Sequence, residues 1–223
     1  MLLLAIDTSG KYGSIALARC GPEESCNILD VVPLEGGTFS AQLIPQIASL
    51  LDKHKFGKQE IDAFAVASGP GSFTGLRVGL AAIKGLAEIL NKPIVAISLL
   101  EAVASAGSKQ GEVIAALDAG RNEVYVGNYR VGSSIIGLGE RLLSLNEFLI
   151  DASGRTVITP EKNIAEAARQ AGISVEEIER PSSDAIARLG LKKLRSGETV
   201  TPEDLEANYI RRTDAEIFFK ASP

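Results

Sequence analysis

Two short turns hold residue types suited to phosphate chemistry, Asp7-Thr8-Ser9-Gly10 and Asp118-Ala119-Gly120. An Asp that ends an apolar strand and precedes small hydroxyl residues or Gly can hold magnesium through water and offer backbone N–H groups to phosphate oxygens. Asp7, Thr8, Ser9, Asp118 and Gly120 are therefore the candidate cofactor contacts. Each turn taken singly reads as a plain hairpin corner, because a motif of three or four residues specifies no more than that. Two copies in equivalent settings favour a phosphate-clamping ancestry.

A third stretch, Ser68-Gly69-Pro70-Gly71-Ser72-Phe73-Thr74-Gly75-Leu76-Arg77, links a short apolar strand to a helix. A Gly-rich loop at a helix N-terminus can bind an anion through free N–H groups and the helix dipole. The Gly-Lys-Ser/Thr ending of a P-loop is missing. The alternative is structural: Ser72 or Thr74 caps the helix and the glycines allow a tight turn.

The helix that follows, Thr74 to Leu90, has Arg77, Lys84 and Glu88 as its only charged positions. At about 100° per residue they share one narrow stripe. Everything else is apolar or small, so the helix must be covered on nearly every side. One sheet and one neighbouring helix cover part of it, and the remainder reads as a protein–protein contact. Leu43 and Ile47 of the first helix, with Leu76, Gly79, Leu80, Ala82, Ile83 and Leu86 of the second, are the candidate partner-interface residues.

General acid–base and metal chemistry have little to draw on. The chain of 223 residues has one His, two Cys and no Trp. Multi-histidine sites and zinc centres of four Cys or of two Cys with two His are excluded, and a metalloprotease lacks its ligands. His54, in Asp52-Lys53-His54-Lys55, reads as a solvated residue at a helix C-terminus, favourable to the dipole. Arg211 and Arg212 read as a small solvated basic spot. Cys20 and Cys26 flank a turn-like stretch, and two reduced thiols are expected in preference to a cross-hairpin disulfide. A net charge of −5 argues against wrapping nucleic acid by bulk electrostatics. The apolar run at Leu2–Ile6 is too short for a signal peptide, and no segment reaches the roughly 18 apolar residues of a membrane span, so a cytoplasmic protein is expected.

These residues need a scaffold, and the sequence repeats one. Leu3–Gly10 with Ser14–Ala18 and Ile114–Gly120 with Glu123–Tyr129 each read as strand, Asp-led turn, strand, at an offset of 111 residues. Two lobes follow, residues 1–105 and a smaller, less regular 106–223, with the boundary in the polar stretch Ser105–Glu112. In the first lobe a strand at about Asn27–Leu34, a helix from near Ser40, a strand at Ala63–Ala67, the helix Thr74–Leu90 and a strand at Pro93–Ile97 give the order βββαβα. In the second, helices are expected at about Asn163–Gln170 and Ser183–Arg195, and a strand at Thr156–Thr159. Glu206–Arg212 fits strand or helix.

Taken together, Leu4-Ala5-Ile6-Asp7-Thr8-Ser9, the Ser-x-x-Leu-x-Pro of Ser40–Pro45, the long Gly69–Gly79 signature, Asp118-Ala119 with Glu123-Val124-Tyr125, and Tyr209-Ile210-Arg211 resemble the TsaB (YeaZ) family. The resemblance implies a two-lobed actin/hexokinase-like (ASKHA) α/β fold, each lobe a mixed sheet with flanking helices. It implies a non-catalytic dimerisation and activating subunit for the TsaD catalytic subunit, which threonylcarbamoylates the tRNA adenosine beside the anticodon. Pairing through the two first-lobe helices, possible homodimers through the same surface, the TsaE ATPase as a further partner, and tRNA contact mainly through partners are implied as well. ATP and metal are expected in the partner, and no cofactor in this chain. TsaD-like proteins place two metal-binding histidines on the first helix; this chain has Thr38-Phe39-Ser40-Ala41-Gln42-Leu43, and Phe39 stands where many TsaB relatives keep one His. The alternative is an autonomous ATP-dependent phosphotransferase or ATPase of the same fold, clamping phosphates between the paired Asp turns.

Overall fold

The computed structural model describes residues 1–21 and 25–211. Contacts divide the chain into two units, residues 1–102 with 179–207, and residues 103–178 with 208–223.

The first unit begins with the antiparallel strands β1 (Leu2–Asp7), β2 (Tyr12–Cys20) and β3 (Cys26–Glu35). After helix α1 (Phe39–Lys53) come strand β4 (Ala63–Gly69), helix α2 (Phe73–Leu90) and strand β5 (Ile94–Ser98). The sheet order is β3-β2-β1-β4-β5, with β4 parallel to both β1 and β5. Every residue of β1 is buried, because the two faces of the sheet are both covered. Leu4 and Ile6 join Leu43, Ile47, Leu76, Leu80 and Ile83 in the core under α1 and α2. On the opposite face runs α6 (Ser183–Arg195), so close that a Cβ on Gly190 would stand 2.6 Å from the Ala65 Cβ.

That return of α6 corrects the expected division at residues 105 and 106. The chain crosses to the second unit within α3 (Leu99–Ala106) and comes back at Glu179. An uncovered apolar sheet face in the first unit demands a layer, and Ile186, Ala187, Leu189 and Leu191 are the buried residues that supply it.

The second unit repeats the first more fully than expected. Strands β6 (Gly111–Gly120), β7 (Glu123–Val131) and β8 (Ile135–Ser144), helix α4 (Leu145–Asp151), strand β9 (Thr156–Thr159), helix α5 (Lys162–Gln170) and strand β10 (Ser174–Glu177) form a sheet ordered β10-β9-β6-β7-β8. Read from the other edge this is the order of the first sheet, with the same antiparallel and parallel pairings. Sequence reading misses β8 because Gly137 and Gly139 interrupt its alternation and none of its residues is fully buried. Ile114, Val126, Phe148, Val157 and Ile164 form its core.

The Glu206–Ile210 stretch has neither strand nor helix, and Arg212 lies outside the described residues. Arg211 pairs with Glu123, so it is not the solvated residue expected. Cys20 and Cys26 face each other in the β2–β3 ladder with Cα atoms 4.2 Å apart, joined by a disulfide where free thiols were expected. The hairpin register brings them together, which spacing in sequence does not reveal.

Candidate functional site

The first Asp turn is filled by the chain's own Gly-rich loop. Asp7, Thr8 and Ser9 are all buried. Ser9 donates both its backbone N–H (2.8 Å) and its hydroxyl (2.5 Å) to Asp7 Oδ1. The Ser9 carbonyl accepts the Ser72 N–H at 2.6 Å, and the Thr8 hydroxyl donates to the Gly75 carbonyl at 2.8 Å. A Cβ on Gly75 would overlap the Thr8 carbonyl oxygen, and one on Gly79 the Thr8 hydroxyl. The glycines of the signature thus let the N-terminus of α2 lie directly on the turn, the place of the candidate phosphate contacts Asp7, Thr8 and Ser9. Ser72 caps that helix by accepting the Gly75 N–H at 3.3 Å, in favour of the structural reading of the loop. Burial raises the Asp7 carboxyl above its ordinary value; the Ser9 hydrogen bonds and the Arg180 charge oppose that rise and do not cancel it.

Phe39 completes the plug. Its ring is buried, and a Cβ on Gly13 would stand 3.0 Å from Cε1. The position where the resemblance puts a His therefore holds an apolar wedge between Gly13 and Gly75. Among the described residues no group of three or more His, Cys, Asp or Glu side chains is arranged to hold a metal ion. His54 lies 3.1 Å from Asp30 Oδ2, with Lys53 Nζ at 2.6 Å, so it is tied to β3 rather than merely solvated. The Lys53 contact, then that of His54, holds the Asp30 carboxyl below its ordinary value.

The second Asp turn is built differently. Asp118 is exposed; its Oδ1 accepts the Gly120 N–H at 2.7 Å and its Oδ2 the Asn163 side-chain amide at 3.2 Å. It is an Asx-type corner of the β6–β7 hairpin, open to solvent.

The candidate interface residues mostly face inward. Leu43, Ile47, Leu76, Leu80 and Ile83 belong to the first unit's core, Gly79 abuts Thr8, and Ala82 and Leu86 are half-buried against that core. The large side chains go to the sheet because that side has volume to fill. Outward, α1 exposes Ala41, Ile44 and Ala48 beside Ser49, and α2 exposes Ala81, Gly85 and Ile89 beside the charged Arg77 and Glu88. Ile44 is 48% exposed and Ile89 is 77% exposed. No side chain stands near Gly85. Composition shows that α2 is apolar on every side but the stripe of Arg77, Lys84 and Glu88; which residues are left outside depends on how the helix is rotated on the sheet.

At the N-terminal ends of these two helices lies a cleft of about 730 Å³, lined by Gly10, Lys11, Tyr12, Glu35–Gly37, Phe39, Ser40, Ser72, Thr74, Gly75 and Val78. Tyr12 is 69% exposed, and the Lys11 ammonium stands 5.5 Å from its ring centroid. Beside the cleft the Arg77 guanidinium stacks 3.6 Å from the Phe73 ring centroid. Sequence reading passed over Lys11 and Tyr12, since a Lys-Tyr pair after a turn carries no motif.

A family model described as TsaD, tRNA N6-adenosine threonylcarbamoyltransferase, matches residues 31–201. The tRNA threonylcarbamoyladenosine biosynthesis protein TsaB of Haemophilus influenzae is 40% identical over 128 residues, which cover 56% of this chain and 52% of that protein, about half its length. The protein of the same name from Escherichia coli is 28% identical over 228 residues, with 96% of each chain covered. The solved structure of YeaZ from Pseudomonas aeruginosa superposes with a TM-score of 0.75 at 27% identity, over 94% of this chain and all of that one. No helix among the described residues is long and apolar enough to cross a membrane. With two mixed sheets and flanking helices, an α/β fold it shares with the YeaZ structure, the chain belongs to the TsaB (YeaZ) family.

Proposed function

We propose that this chain is a non-catalytic dimerisation and activating subunit in threonylcarbamoyladenosine synthesis on tRNA, pairing with a TsaD-type catalytic subunit that modifies the adenosine beside the anticodon. The observation that carries the reading is the outward face of α1 and α2, where Ala41, Ala48, Ala81 and Gly85 let another backbone approach closely and Ile44 and Ile89 supply apolar area. The filled Asp7 turn and the Phe39 wedge argue in the same direction, since the residues that would grip a phosphate are engaged with the chain itself. The names of the matched relatives supply the pathway. ATP and metal belong in this reading to the catalytic partner, and the same face supports homodimers when the partner is scarce. TsaE joins as a further partner, and the work is cytoplasmic.

Mixing this chain with its TsaD partner should give a heterodimer on sedimentation, and an assay for modified tRNA should show product only when both are present. Full activity of the partner alone would overturn the activating role. One observation favours a second reading, an ATPase or phosphotransferase: the Asp118 turn is exposed to solvent, its carboxylate held by the Gly120 N–H and the Asn163 amide. Turnover of Mg-ATP by this chain alone, lost on Asp118→Asn, would favour it.

A further inference from the structure

We propose that Cys20 and Cys26 form a reversible thiol–disulfide switch that fastens the C-terminal end of α6 to the first sheet. The inference goes beyond the subunit reading and stands without it. The reduced thiols that spacing suggests and the disulfide that the fold forms are two states of one pair.

The position in the ladder carries the chemistry. Cys20 closes β2 directly opposite Cys26, which opens β3, and both side chains are buried. The backbone of Cys20 turns the other way: its N–H donates to the Met1 carbonyl at 2.9 Å and its carbonyl accepts from the Met1 ammonium at 3.1 Å. The two cysteines are therefore a non-hydrogen-bonded pair, the kind whose side chains stand closest in an antiparallel ladder, and their Cα atoms are 4.2 Å apart. The register alone keeps the sulfurs within bonding reach, so neither oxidation nor reduction needs the sheet to re-pair. Only 6 positions separate them in sequence. Closing so short a loop favours the folded chain by about fifty-fold, a small part of a domain's stability, so both states fold. Gly21, Ser25 and Asn27 around the pair are exposed, and opening of this hairpin end admits a reagent to the sulfurs.

The exchange balances without a metal or cofactor. One cysteine thiolate attacks a small-molecule disulfide such as glutathione disulfide and expels one thiol; the second cysteine thiolate displaces the other thiol and forms the Sγ–Sγ bond. Two protein thiols and one external disulfide become one protein disulfide and two external thiols. Excess external thiol runs the exchange backward.

What the bond fastens is α6. Arg188 Nη1 donates to the Cys26 carbonyl at 3.1 Å, and Arg195 Nη2 donates to the Gly21 carbonyl, so the last turns of the helix rest on both sides of the hairpin end that the disulfide closes. Without the disulfide that end keeps one short backbone tie, the Gly21 N–H to the Ser25 carbonyl at 3.2 Å. Because α6 covers the sheet face opposite α1 and α2, the switch acts on this layer and leaves the outward α1–α2 face as it is.

The test begins with the unsubstituted full chain, equilibrated in glutathione buffers from oxidised to reduced, its free thiols counted by maleimide labelling and mass. A single transition between no thiols and both is expected within that series. Hydrogen exchange of the two end states should then show the amides of Leu191–Arg195 faster in the reduced chain by up to about fifty-fold, and by a larger factor than the amides of α2. Arg188→Gln combined with Arg195→Gln should keep the thiol transition and lose this extra response of α6. Two free thiols in the most oxidising buffer overturn the proposal, and so does a bond that survives the most reducing one, which makes the pair a permanent staple. A response of α6 no greater than that of α2, in the unsubstituted chain, overturns the fastening and with it the switch.

Discussion

The Thr8 hydroxyl donates to the Gly75 carbonyl at 2.8 Å across 67 residues of sequence, joining the first Asp turn to the start of α2. This bond and the missing Cβ atoms of Gly75 and Gly79 make one object of two motifs that look separate in the sequence. The turn and the Gly-rich signature are two sides of a packed contact.

Gly79→Ala should therefore destabilise the chain. Alanine in a helix interior normally gains up to about 1 kcal/mol over glycine. Here its methyl would overlap the Thr8 hydroxyl, and overpacking of this kind costs about 1–3 kcal/mol. Gly85→Ala, with open space around it, should show the ordinary gain. Urea unfolding of both variants checks the opposite signs.

Asp7→Asn should fold and be at least as stable as the parent at neutral pH. The Asp7 carboxyl is raised by burial, so its contribution to stability is fully present below its unfolded value near 3.8 and is lost as pH rises through the folded value. Asparagine keeps an oxygen to accept the Ser9 donors and never acquires the buried charge. The variant's advantage should open as pH rises and close below about 3.8, read by denaturation at pH 3 and pH 7. A parent more stable than the variant at pH 7 would contradict this sign.

Ala81→Arg should abolish pairing with the catalytic subunit and leave the isolated chain within about 0.5 kcal/mol of its parent, because the position is exposed. Ile83→Ala, in the core of the same helix, should do the reverse, costing about 2–5 kcal/mol while sparing the outward face. Thermal melts and sedimentation with the partner separate the two.

Phe39→Ala should lose about 3–5 kcal/mol, as expected of a buried aromatic ring truncated to a methyl. Phe39→His should fall between the parent and Phe39→Ala, read by thermal melts of the three proteins.

Much of the architecture is legible in the residues. The two Asp-led hairpins announce the repeat, and the apolar periods of α1, α2, α5 and α6 place those helices within a residue or two of where they lie. The β8 strand escapes because Gly137 and Gly139 erase its alternation, and α4 goes with it.

By itself the sequence determined the α/β class, the doubled hairpin, the scarcity of metal ligands and a second helix too apolar to be left bare. Those are properties of composition and of contacts between near neighbours, which periodicity records. Only the tertiary structure decided that Asp7 is buried while Asp118 is exposed, and that α6 returns to cover the first sheet. It also decided that Ala81 and Gly85, not Leu80 and Ile83, face outward on α2. The physical reason is that these outcomes rest on packing between segments far apart in the chain, where volume to be filled and backbone donors to be satisfied choose among faces that the local pattern leaves equivalent.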